Sequence, residues 1–164
     1  MDRQAALNEF FEHFGLAYSA LDVDRVAATF VMPFTTNVQG DITHWPEFEP
    51  LRHTTAVLFD WYYQQGFRSA HYRVVEQVMV GRDHATVELC WHVARADQHF
   101  WVHHTGYQLR WVNEEWKICG IMQITEPEQT RLVGEDEEVW TPLALAEAAL
   151  AHAIQRPGSP LTTE

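Results

Sequence analysis

The chain has 164 residues, 46% of them hydrophobic and 13% aromatic, with seven Trp and nine Phe, enough apolar material for one core and too much for disorder. Eleven Lys and Arg against 23 Asp and Glu leave a net charge of −12, a field that repels phosphate backbones and anionic headgroups, so neither nucleic acid nor a membrane surface is expected as a partner. Cys90 and Cys119 stand alone in strand-like runs, without CxxC or CxxH spacing, so neither a disulfide scaffold nor a zinc site is expected and a reducing, cytoplasmic setting fits.

The opening residues carry acids and bases where a secretory signal would be apolar. From Gln4 to Leu21 the apolar positions Leu7, Phe10, Phe11, Phe14, Tyr18 and Leu21 recur every three or four residues, which predicts one helix face. Asp22 is placed to cap a short second helix through Val26, Ala27 and Phe30, which Pro33 is expected to end. Residues 34–43 hold β-branched positions and a Gln39-Gly40-Asp41 turn signal, as in a hairpin or bent strand. After His44-Trp45-Pro46, a third helix is expected through Leu51, Ala56, Val57, Phe59, Tyr62 and Tyr63, stopped at Gly66.

Four long strands are expected next, over residues 69–80, 84–94, 100–112 and 115–124, paired as antiparallel meanders. The alternation is clearest where Ala85, Val87, Leu89, Trp91 and Val93 interleave with Thr86, Glu88, Cys90 and His92, so the apolar set is assigned to the core. Past Pro127, Glu128 and residues 135–138 read as a solvated acidic linker, residues 141–155 as a capped Ala/Leu-rich helix and residues 157–160 as the start of a frayed tail. The expected division is therefore a domain over residues 1–126 and a linker, helix and tail over residues 127–164.

The element order, with Tyr18-Ser-Ala-Leu-Asp-Val-Asp-Arg-Val26, Phe30, Gly81-Arg-Asp-His-Ala85 and Tyr107-Gln-Leu-Arg-Trp-Val-Asn-Glu-Glu-Trp-Lys-Ile118, resembles the nuclear-transport-factor-2-like superfamily over about residues 5 to 126. That superfamily includes the SnoaL-like proteins, ketosteroid isomerase and scytalone dehydratase. The resemblance implies an α+β, cystatin-like cone, in which N-terminal helices wrap a curved antiparallel sheet around an apolar pocket. Where ketosteroid isomerase carries its tyrosine and carboxylate base, this chain has Phe14 and Val38. The similarity to scytalone dehydratase implies a catalytic role for Tyr18 and, through Arg68-Ser-Ala-His71, for His71. Its other catalytic positions fall at Ser19, near Val38 and around His103 to Thr105.

His71, Tyr18 and His103 could form an acid–base set, because imidazole titrates near neutral pH and a phenol can polarise a carbonyl oxygen. Each has a plainer reading, as a strand histidine bonded to a neighbour or as a core aromatic. Whether His103 or His104 points inward depends on the parity of the turn at residues 95–99, and His103 is preferred because it shares a face with Tyr107, Leu109 and Trp111. His92, His99, His103 and His104 gather on one hairpin without a carboxylate or cysteine at ligand spacing, so no metal is expected.

Arg73 would share the face of His71 in a regular strand, and Trp45 stands where the chain crosses the pocket mouth. These two, with Trp91 and Tyr107, are the expected ligand contacts. The function expected is cofactor-independent proton transfer, by elimination or isomerisation, on a cyclic or polyketide-like carbonyl compound. The alternative is a domain that binds an apolar or aromatic ligand, or assembles, without catalysis. A homodimer through the sheet is expected because Tyr72, Val74, Val78, Cys119 and Ile121 exceed what one inner face can use.

Overall fold

The computed structural model describes residues 2–38, 40–98 and 100–124. Helix α1, Arg3–Ser19, starts at Asp2, whose carboxylate accepts from the backbone N–H groups of Gln4 and Ala5, and it buries Leu7, Phe11, Phe14, Ala17 and Tyr18. It stops near Leu21, which takes a φ of 53°. Helix α2, Val23–Ala27, is capped by Asp22, which accepts from Arg25 N. Strand β1, Phe30–Val38, begins almost at once, so Pro33 does not end a helix. It lies inside β1, where the pairing register with the neighbouring strand breaks between Phe30 and Thr35, and the ladder bond that proline cannot donate is not required there.

Strand β2, Asp41–Trp45, folds back on β1 through Gly40 at a φ of 85°, and helix α3, Phe48–Gln64, ends at Gly66 with a φ of 90°. Strands β3, Phe67–Val80, β4, His84–Arg95, β5, Phe100–Val112, and β6, Glu115–Ile124, then form the expected meander. The six strands make one curved sheet in the order β2-β1-β6-β5-β4-β3, antiparallel except where β1 runs parallel to β6. Residues 127–164, with the acidic linker and terminal helix assigned to them, lie outside the described residues.

The helices cover one face of the sheet. Ala85, Val87, Leu89, Trp91 and Val93 on β4 and Trp101, Tyr107 and Leu109 on β5 are buried beneath them. Three single-residue bulges change which side chains join that face, and the first, past Arg68 in β3, lets both Phe67 and Ala70 join it. In β3 the register steps past Val75, which turns Glu76 outward opposite Glu88. In β6 it steps past Cys119, so Ile121 and Gln123, rather than Met122 and Ile124, follow Trp116 and Ile118 onto the covered face. Helix α1 comes close to β3 at Gly15, where a Cβ would stand 2.7 Å from the Tyr72 ring.

Candidate functional site

The covered face has two unlike ends. Beneath α1, toward β3, β4 and β5, the space is filled with rings. Tyr18 stacks on Trp91 with centroids 4.5 Å apart, Phe14 and Tyr107 meet edge to face at 5.5 Å, and Tyr62 packs against Phe67 at 5.7 Å and Trp101 at 5.8 Å. Polar handles are tied off within the cluster. Trp91 Nε1 donates to the Tyr107 hydroxyl at 3.0 Å, and the Tyr18 hydroxyl donates to that of Tyr62 at 3.3 Å. Burial raises the pKa of Tyr18 well above its ordinary value and pushes Tyr107 up, so both remain neutral phenols.

Toward β1, β2 and β6 the interlocked cluster gives way to a cavity of about 110 Å³ beneath α3. Its walls are largely carbon, from Phe30, Phe34, Leu51, Leu58, Ile121 and Trp45. Trp45 is held over it by its indole N–H, which donates to Thr36 Oγ1 at 3.1 Å. Tyr62 closes the side facing the ring cluster, and Gln123 enters from β6 with its Oε1 buried and without a hydrogen-bond partner. Among the described residues, none of those lining it is His, Asp, Glu, Lys, Arg or Cys.

The proposed acid–base set is not assembled. Ala70 and Tyr72 take the covered face of β3, so alternation sends His71 and Arg73 to the opposite face, where both are exposed and paired across to His92 and Cys90. They lie across the full sheet from Tyr18. His103 does face inward, opposite Trp91, and its Nδ1 lies 3.4 Å from Thr105 Oγ1. Burial, with His104 and His92 nearby, lowers its pKa to about 4 and keeps it neutral at physiological pH. It does not line the cavity. His104 takes the outer face, its Nδ1 2.7 Å from Glu88 Oε2.

Of the expected ligand contacts, Trp45 alone stands on this cavity; Trp91 and Tyr107 are core rings whose polar atoms serve each other. The residues missed are Gln123, Tyr62 and Thr36. Tyr62 reads from sequence only as part of an apolar helix face. Gln123 is hidden by the Cys119 bulge, because unbroken alternation from Trp116 places it on the outer face.

The outer face is open. Its central groove, of about 270 Å³, runs over Gly106 and Gly120, with Val78, Ile42, Met122 and Ile124 beside them. Ile42, Val78, Val80 and Met122 are exposed there. Among the described residues no three His, Cys, Asp or Glu side chains gather into a metal site, and no helix is long and apolar enough to cross a membrane.

A curved sheet wrapped on one face by N-terminal helices, with a cavity left beneath them, defines the cystatin-like, NTF2-like class of α+β domain. The chain belongs to the family described as NTF2-like protein (DUF6841), which matches residues 4–126. No curated protein matches it. Solved structures share the fold at low identity. An NTF-2-like protein of unknown function from Shewanella oneidensis is 13% identical with a TM-score of 0.60, covering 74% of this chain and 98% of its own. A Mycobacterium tuberculosis protein of unknown function is also 13% identical, with a TM-score of 0.63 over 93% of this chain and 95% of its own. A Novosphingobium aromaticivorans protein, named provisionally as a scytalone dehydratase, is 12% identical with a TM-score of 0.60, covering 85% and 90%.

Proposed function

We propose that this domain binds a small apolar or aromatic molecule, without catalysis, in the cavity between α3, β1, β2 and β6. The observation that carries this reading is the lining: carbon walls beneath Trp45, with hydroxyl and amide groups but, among the described residues, no imidazole, carboxylate or amine. A carbon-lined concavity with few polar groups is the usual form of a small-molecule site. Proton transfer needs a group whose pKa lies near the working pH and which reaches the ligand. The one phenol in the lining, Tyr62, has its pKa raised by burial. A single ring matches its size, because an apolar cavity of roughly 150 Å³ accepts benzene and this one holds about 110 Å³.

The test uses one-ring probes, toluene and phenol, followed by melting temperature and by the fluorescence of Trp45. A probe at a hundred times its Kd should stabilise the native state by about 2.7 kcal/mol. Leu58→Trp, which fills the cavity from α3, should abolish that response while the protein still unfolds cooperatively. A response unchanged by Leu58→Trp would end the proposal.

A second copy of the chain is the partner we propose for the outer face. The exposed Ile42, Val78, Val80 and Met122 beside a groove over Gly106 and Gly120 support it. Sedimentation at micromolar concentration should give a dimer that Val78→Lys dissociates, and a monomeric wild-type chain would overturn it.

A further inference from the structure

Among the described residues, every aromatic side chain that is buried or half-buried meets another ring, with the exception of Trp45 on β2. The other rings outside such pairs, Phe48, Tyr63 and Phe100, are exposed. Trp45 stands directly opposite Phe34 in the register of β1 with β2, a position from which two aromatic side chains ordinarily touch. Phe34 instead pairs with Phe30, their centroids 4.7 Å apart. Phe34 and Trp45 both line the cavity.

The indole is anchored where it stands, because its N–H donates to Thr36 Oγ1 at 3.1 Å. A ligand that meets a ring already held in place gives up less freedom on binding than one that must order it. An aromatic ring carries a negative face and a positive edge, so a second ring, offset-stacked or edge-on, gains more from it than buried area alone supplies. The protein makes that contact at its other enclosed rings and leaves it open at Trp45.

Building on the binding reading above, we infer that the cavity selects an uncharged aromatic ring over a saturated ring of similar shape, and that Trp45 is the specificity-determining residue. A saturated ring buries at least as much apolar area and so matches the hydrophobic part of the binding, but it has no quadrupole to set against the indole. A charged ring would enter a lining in which, among the described residues, no ion is present to pair with it. Phe30, Phe34 and Tyr62 border the same space, but each already meets another ring within the protein.

The experiment is a calorimetric titration of benzene against cyclohexane, and of toluene against methylcyclohexane, pairs of similar shape that differ in aromaticity. The wild-type chain should bind each aromatic probe about two- to tenfold more tightly than its saturated partner, the fold-change expected for one ring contact beyond its buried area. Trp45→Leu, which keeps a carbon wall and removes the ring, should bring that ratio to one or below while methylcyclohexane still binds. Trp45→Phe, which restores a ring, should recover the preference, and Trp45→Met is the second ring-free variant should Trp45→Leu fail to fold. Equal or tighter binding of the saturated probes by the wild type, with all four lost in Leu58→Trp, would overturn the aromatic inference and leave the binding reading standing. A preference for toluene that survives removal of the Trp45 ring would overturn the role of Trp45. Binding of no probe would overturn both.

Discussion

The two ends of the covered face are built from the same kinds of element yet do opposite things. Under α1 the sheet meets Phe11, Phe14 and Tyr18, whose rings interlock with Trp91 and Tyr107. Under α3 it meets Leu51, Thr55 and Leu58, and a cavity persists between them and β1 and β6. A pocket in this fold is thus a local deficit of side-chain volume, and the helix that packs over a given strand decides where it lies. The residues that looked catalytic from the sequence sit in the filled end or on the far side of the sheet.

That comparison can be broken most directly at Trp91. If the filled end is structural, Trp91→Ala should destabilise the domain by about 3–5 kcal/mol, because the cavity it leaves also strips the Tyr107 hydroxyl of its donor. Denaturant unfolding checks this, and a loss below about 1 kcal/mol would mean that the ring cluster can collapse and is not the rigid half.

A somewhat smaller effect should follow pH. His103 has its folded pKa lowered to about 4, against an unfolded value of about 6.5. The unfolded chain therefore binds the proton more readily, and stability is fully present above about pH 6.5 and falls as pH drops toward 4. The loss attributable to His103 approaches about 3 kcal/mol over that window. His103→Gln should flatten the wild-type slope between pH 6.5 and 4 in urea titrations at each pH, while other groups contribute equally to both proteins. Parallel slopes would place the imidazole in contact with solvent.

The smallest effect is expected on the far face. His71→Asn should change stability by no more than about 0.5 kcal/mol, the range for exposed substitutions, and should leave phenol binding unaltered, since the side chain is exposed across the sheet from the cavity. A tenfold loss of phenol affinity would mean that the two faces communicate.

Sequence alone determined the elements. The three- and four-residue spacing of Leu7, Phe11, Phe14 and Tyr18, the Asp22 cap, the stop at Gly66 and the alternation from Ala85 to Val93 are local signals, written in neighbouring residues, and each appears where the spacing places it. The resemblance to the NTF2-like superfamily rested on those same signals, and the choice of His103 over His104 followed from its shared face with Tyr107 and Leu109. What only the tertiary structure decided is which residues meet. A bulge past Cys119 shifts β6 by one residue and brings Gln123 into the cavity. Tyr72 claims the covered face beside Gly15 and so sends His71 out. The parallel pairing of β1 with β6 joins residues more than eighty positions apart, and with α3 laid over them those two strands bound the cavity. Face and register are period-two properties that a single inserted residue inverts, and the sequence gives no local sign of that insertion because its cause is the packing of distant elements.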